Sequence, residues 1–281
     1  GTNIPKLFIK NAGLCYHLMK GTIFYVPEQL NGFNGVPIYL DWRGYIHVFT
    51  RHVIEFTISE RFAKKDKLPW QPNDVIPVIG KYNVSNALAA ISTLRVLGVD
   101  DKNMNTLLKD FSSVQGRMNV LQKEPFMIIV DFAHTPNALK SALESVSKLK
   151  KEDSKIILVF GCASKRDDYK RPIMGEYAKK YADITILTAE DCRMESLKKI
   201  NDEIEKGWKE YQTNEKRQLI RFDDDTHNIK VRRDAIKKAI SLASSGDIVL
   251  ITGKGHERSL CFGLKEYEWS DIAEIKKLIR R

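Results

Sequence analysis

From residue 126 to its end the chain alternates short apolar runs with amphipathic stretches, and this alternation constrains the fold more than any other feature of its 281 residues. The apolar runs are Phe126 to Val130, Lys155 to Gly161, Asp183 to Thr188, Gln218 to Phe222 and Asp247 to Gly253. Between them, Asn137 to Leu149, Arg171 to Tyr181, Glu195 to Trp208 and Val231 to Ala243 carry helical periodicity, and Asp271 to Leu278 reads as a last helix. Strands that are apolar throughout are buried on both faces, which requires a mostly parallel sheet with helices on each side. The expected fold class is α/β.

Upstream the pattern changes. Asn86 to Leu97, stopped by Gly98, and Met104 to Phe111 read as a helical hairpin that ends at Gly116-Arg117. Before it, Ile23 to Val26, Tyr45 to Phe49 and Val53 to Ile58 read as strands, with turns at Asn31-Gly32 and Asn34-Gly35. Residues 1–79 carry no functional signal. The chain begins at Gly1 rather than Met, the expectation for a processed, trimmed or incomplete piece.

Composition narrows the class. Apolar residues make up 43% and charged residues 29%, as in a soluble globular protein. No run approaches the ~18 apolar residues of a membrane span. Cys15, Cys162, Cys192 and Cys261 form no metal-binding spacing, so reduced thiols in a cytosol and no metal ligands are expected. The net charge of +10 is scattered and often paired with acids, which argues against nucleic acid and for attraction of anionic substrates.

Four polar clusters fall where strands hand over to helices. The first is Asp131-Phe132-Ala133-His134-Thr135-Pro136, in which Thr135 suits a helix cap and Pro136 a first helical position. The second runs from Gly161-Cys162 to Lys170-Arg171-Pro172, and its four basic residues suit phosphate or carboxylate; a solvated basic loop is the plain alternative. The third, Glu190-Asp191-Cys192-Arg193, has the charges to recognise a zwitterion, although a surface ion pair is the commoner outcome for such a tetrad. In the fourth, Gly253-Lys254-Gly255-His256-Glu257, His256 suits a general base or an orienting hydrogen bond and Glu257 suits an amine. A dinucleotide fingerprint and a Walker A loop are both absent. In a parallel sheet, clusters at the carboxyl ends of strands converge on one crevice.

With Gly80-Lys81-Tyr82-Asn83-Val84-Ser85-Asn86 and Gly116-Arg117-Met118, these stretches resemble the Mur ligase family, in the same order, over residues 80–281. The family comprises ATP-dependent amino-acid ligases of peptidoglycan precursor synthesis, and the likeness is to its UDP-N-acetylmuramoyl-L-alanyl-D-glutamate ligase (MurE-type) branch. The resemblance implies a Rossmann-like C-terminal domain over 116–281 and part of a central domain over 1–115. It also implies an ADP-forming ligase: ATP phosphorylates a substrate carboxylate and an amine attacks the acyl phosphate. ATP would be contacted by Asn86, Arg117, Asp131 and His134, and the incoming amino acid by Arg171, Asp191, Arg193 and Glu257. ATP and Mg²⁺ are the implied cofactors. The implied partners are a UDP-linked muramoyl peptide and a free amino acid of diaminopimelate or lysine type, with no nucleic acid and no membrane, in the cytoplasm.

Two departures stand out. The family's usual Asp-Asn-Pro-Arg reads Glu190-Asp191-Cys192-Arg193 here. Its Gly-Thr-Asn-Gly-Lys-Thr phosphate loop is not found, since Gly1-Thr2-Asn3 continues as Ile4-Pro5-Lys6. The alternatives are a noncatalytic or truncated homologue, a folylpolyglutamate- or cyanophycin-type ligase, and an unrelated oxidoreductase. The Arg193 tetrad and Gly253 to Glu257 weigh against the second, and the missing glycine fingerprint against the third.

Overall fold

A computed structural model describes residues 114–164, 167–223 and 228–280, together with six N-terminal strands, Ile79, Asn83 and Asn86. The chain forms two compact units, Gly1–Ser112 and Ser113–Arg281. In the first unit β1 (Gly13–Leu14), β2 (Phe24–Val26), β3 (Ile38–Asp41), β4 (Tyr45–Phe49), β5 (Ile54–Ile58) and β6 (Asp74–Ile76) pair consecutively and antiparallel. The three strands expected from the sequence correspond to β2, β4 and β5, whereas β1, β3 and β6 were not expected. Asn83 and Asn86 are helical. The rest of the expected helical hairpin and the two Asn-Gly turns lie outside the described residues.

The second unit contains the expected mostly parallel sheet, with all five strands present and trimmed at their ends. These are β8 (Met127–Val130), β9 (Ile156–Phe160), β10 (Ile184–Leu187), β11 (Gln218–Arg221) and β12 (Ile248–Ile251). They are arranged β11-β10-β9-β12-β8, all parallel, and β7 (Asn119–Gln122) adds an antiparallel edge with an irregular register. Every residue of β9, β10 and β12 is buried. Each large aliphatic side chain removed from water there contributes roughly 1.5–3 kcal/mol.

Helices α1 (Pro136–Ser147), α2 (Lys170–Tyr181) and α3 (Leu197–Glu210) pack in a row. Thr135 caps α1 through the Ala138 amide, and Leu139, Ala142, Leu143 and Val146 form its buried stripe. Ser196 caps α3, which is why that helix begins two residues later than its sequence pattern. Connections from β8 through β11 all run one way along the sheet, whereas β11 returns to β12, so a right-handed crossover sets α4 (Lys230–Leu242) on the opposite face. There α4 covers β9, β10 and β12 and contacts α5 (Asp271–Ile279). The hairpin of β13 (Ser259–Phe262) and β14 (Lys265–Glu268) follows β12. Neither it nor β7 was evident from sequence, because short polar-flanked pairs lack a continuous apolar run. No helix among the described residues is long and apolar enough to cross a membrane.

One buried ion pair joins these parts. Arg232 of α4 meets Asp271 through Nε at 2.8 Å and Nη2 at 2.7 Å, with neither side chain exposed. Its remaining donors reach the Ala189 carbonyl beyond β10 at 2.8 Å and the Thr252 carbonyl beyond β12 at 2.9 Å. Trp269 Nε1 donates to Asp271 as well. Removing one partner leaves a buried charge and two carbonyls unmatched, so Arg232→Met should lower unfolding stability by about 3–5 kcal/mol in denaturant titration. A loss within the range of an ordinary surface substitution would show that the pair is not structural.

Candidate active site

The crevice lies at the carboxyl ends of β8, β9, β10 and β12, four adjacent strands. On the β8 side Asp131 is 6% exposed. Its Oδ1 accepts from the Ala133 amide and its Oδ2 from the Met118 amide, both at 2.8 Å. Asp131 thus ties the strand end to the Gly116-Arg117-Met118 turn, in which Gly116 and Met118 both have positive φ. Gly116 packs on the Gly255-His256 peptide; a Cβ there would stand 2.2 Å from the His256 nitrogen, so no other residue fits.

This turn carries the exposed Arg117, whose guanidinium lies 4.5 Å from the centre of the Phe132 ring. Phe132 meets His134 edge-on at 4.5 Å and His256 at 4.9 Å. His134 Nδ1 is 2.9 Å from the Phe132 carbonyl, which can only accept, so Nδ1 is the donor of this bond. The result is an aromatic surface edged by an arginine, suited to a flat ring bearing anionic groups. Asn86 is in the other unit, where its Nδ2 donates to Asn83 Oδ1 at 3.0 Å.

On the β10–β12 side, Asp191 and Glu257 share Lys254. Its Nζ is 2.8 Å from Asp191 Oδ1 and 2.5 Å from Glu257 Oε2. Burial works against the lysine charge, but the two carboxylates outweigh it and hold the Lys254 pKa above its ordinary value. Asp191 Oδ1 also accepts from the Cys261 amide, which draws in the β13–β14 hairpin. Arg193 has φ 47°, and its backbone is fixed to the same hairpin by bonds to the Cys261 carbonyl and the Gly263 amide. Its guanidinium makes no ion pair among the described residues.

Glu190 lies beneath these groups, 6% exposed, with Oε2 lacking a hydrogen-bond partner. Burial pushes its pKa up to about 7, against the pull of Lys170, Arg232 and Lys254. Lys170 is buried too, and its Nζ donates to the His134 carbonyl at 2.9 Å.

Arg171 has a different task from the one the resemblance implies. Its side chain is fully buried, paired with Glu195 through both Nη atoms and with Asp168 and Glu203. It also donates to the Ala163 carbonyl. With both Nη groups directed at protein partners and its Nε buried without one, Arg171 braces the loop that carries Arg193 through Glu195 instead of facing a substrate. Of the four basic residues of the loop after β9, Lys170 and Arg171 are buried against protein partners, and Lys165 and Arg166 lie outside the described residues. Asp168, Glu195 and Glu203 are the one acidic group among the described residues spaced for a metal ion. Arg171 already sits among them, so they do not fit magnesium.

Two contributors are not evident from the sequence. Glu195 has the spacing of a partner for Lys199 one helical turn on, a pair that does form at 2.9 Å, and nothing local points to Arg171. Lys254 has no role that its motif suggests; glycines on both sides are the only sign that it can turn inward.

Glu190 makes the site pH-dependent. Its folded-state pKa is raised, so the stability it contributes is complete below the ordinary value of 4.5 and is lost as pH rises through about 7. Glu190→Gln should flatten the fall of the thermal unfolding midpoint across that window. Identical curves for the two proteins would mean that Glu190 is ionised throughout.

Residues 116–255 match the family described as Mur ligase, glutamate ligase domain. The UDP-N-acetylmuramoyl-L-alanyl-D-glutamate–2,6-diaminopimelate ligase of Prochlorococcus marinus subsp. pastoris is 36% identical over 212 residues, 73% of this chain and 39% of that protein. Its counterpart in Aquifex aeolicus is 38% identical over 202 residues, 72% of this chain and 39% of that protein. This chain therefore spans about two fifths of the length of the curated relatives it matches. A solved structure of a ligase of that name superposes with a TM-score of 0.55 at 27% identity, covering 81% of this chain and 42% of the other. Escherichia coli FolC in complex with ADP shares the fold, with a TM-score of 0.53 at 18% identity, covering 84% of this chain and 46% of FolC. With the family match running through the crevice loops and its relatives aligned over most of its length, the chain belongs to the Mur ligase family.

Proposed function

We propose that the full-length protein is an ATP-dependent ligase that adds a diaminopimelate- or lysine-like amino acid to a UDP-N-acetylmuramoyl dipeptide in peptidoglycan precursor synthesis. Residues 1–115 form part of its central domain and 116–281 its C-terminal domain. The observation that carries this reading is the meeting of Asp191, Lys254 and Glu257 beside the Arg193 turn, next to the Arg117–Phe132–His134 surface. One side offers charges of both signs for a zwitterion, and the other an aromatic face with a cation for a nucleotide.

In the reaction a carboxylate oxygen of the dipeptide attacks the γ-phosphorus of ATP, and ADP leaves. The amine of the amino acid then attacks the acyl carbon, the amide bond forms, the C–O bond to phosphate breaks, and phosphate departs. The amine must reach that carbon neutral and oriented, and orientation of the two reactants is the larger part of what a protein supplies here. Arg193 takes a carboxylate of the amino acid, while Asp191 and Glu257 hold the ammonium of its distal end, away from the amine that reacts. Arg117 and His134 contact the nucleotide, and Asp131 fixes their loops. Arg171 acts through Glu195 as a positioning residue. No step is assigned to magnesium within the described residues. A charged, UDP-linked substrate sets the work in the cytoplasm.

Phosphate release by the full-length protein with ATP, magnesium, UDP-muramoyl dipeptide and either amino acid tests the reading. Turnover that requires all the organic substrates is the expected result, and its absence with every amino acid tried favours a noncatalytic homologue. Arg193→Ala should raise the KM for the amino acid by roughly tenfold or more while sparing nucleotide binding, since a charge-assisted contact to substrate is lost. Equal losses of both would mean that the tetrad is misassigned.

A further inference from the structure

Lys254 is a cation sealed in the crevice, with 1% of its side chain exposed and two carboxylates on its ammonium group. Those carboxylates come from different loops, Asp191 after β10 and Glu257 after β12, and Cys261 of β13 reaches the same Asp191 oxygen. Gly253 and Gly255 on either side have φ of +105° and +50°, a backbone that turns this residue inward between its neighbours. Two acids brought this close without a cation would repel each other and move apart. One lysine against two carboxylates leaves the trio a single net negative charge.

We propose that Lys254 is a positioning and specificity residue, which fixes the spacing of Asp191 and Glu257 and reduces their joint charge to that of one carboxylate facing the incoming amino acid. This inference rests on the amino-acid assignment above. The trio accordingly suits the singly charged ammonium end of an amino acid and limits how much further positive charge is favoured there. It acts through the two acids and touches no reacting atom.

Lys254→Met leaves the trio with two negative charges, and Glu257→Gln leaves it with none. The full-length protein and both variants are compared by kcat/KM for lysine and for diaminopimelate, whose distal ends differ by one carboxylate. Lys254→Met is expected to raise the lysine-to-diaminopimelate ratio about tenfold and Glu257→Gln to lower it, with the KM for ATP within roughly twofold of the unsubstituted protein. A ratio that stays constant, or moves the same way in both variants, overturns the proposal. So does a Lys254→Met protein in which the KM of every substrate rises together, the mark of a purely structural lysine. Glu257 is 38% exposed in its side chain, so its variant tests the proposal even where Lys254→Met fails to fold. No turnover of either amino acid by the unsubstituted protein overturns the ligase reading itself, and this inference with it.

Discussion

The crevice depends on Arg232. A guanidinium with no exposure to water must have its donors matched, and this one reaches Asp271 together with the carbonyls of Ala189 and Thr252. Those carbonyls stand at the roots of two loops on either side of β9, one carrying Asp191 and Arg193 and the other Lys254 and Glu257. Because a planar guanidinium has fixed donor directions, it holds both loop roots at one separation. Packing of α4 against α5 and the geometry of the crevice are thus set by the same residue.

Around that anchor the site is built from charges that neutralise one another. Arg171 lies among Asp168, Glu195 and Glu203, Lys254 joins Asp191 to Glu257, and Lys170 holds the His134 carbonyl. A buried cation is tolerable only with such partners, and each pairing also limits where a loop can move. Glu190 is buried with an unmatched Oε2, and burial raises its pKa toward neutrality. Among the described residues at this edge, Arg117 and Arg193 are cations that make no ion pair. Their freedom follows from the occupation of their neighbours.

Much of this was legible in the chain. Fully apolar runs such as Ile156–Phe160 announce strands covered on both faces, and Thr135-Pro136 marks the start of α1. Polar residues directly after those runs were expected in one crevice, and a parallel sheet brings strand ends together whatever their order along the chain. Strands β7, β13 and β14 were not legible, since they sit at an edge or in a short hairpin and alternate weakly. Arg171 misled: as a residue type beside a helix start it suggested anion binding, while its partners Glu195 and Glu203 lie 24 and 32 residues away.

The sequence by itself determined the order of the elements, the parallel sheet and the residues that stand at its carboxyl edge, because all three follow from local apolar period and from the chirality of strand connections. Only the tertiary structure decided which of the charges at that edge are committed to one another and which remain open to a ligand. Lys254 and Asp191 are 63 residues apart, and Arg232 and Asp271 are 39 apart. Such pairings depend on distances of a few ångströms between loops, and no local pattern encodes them.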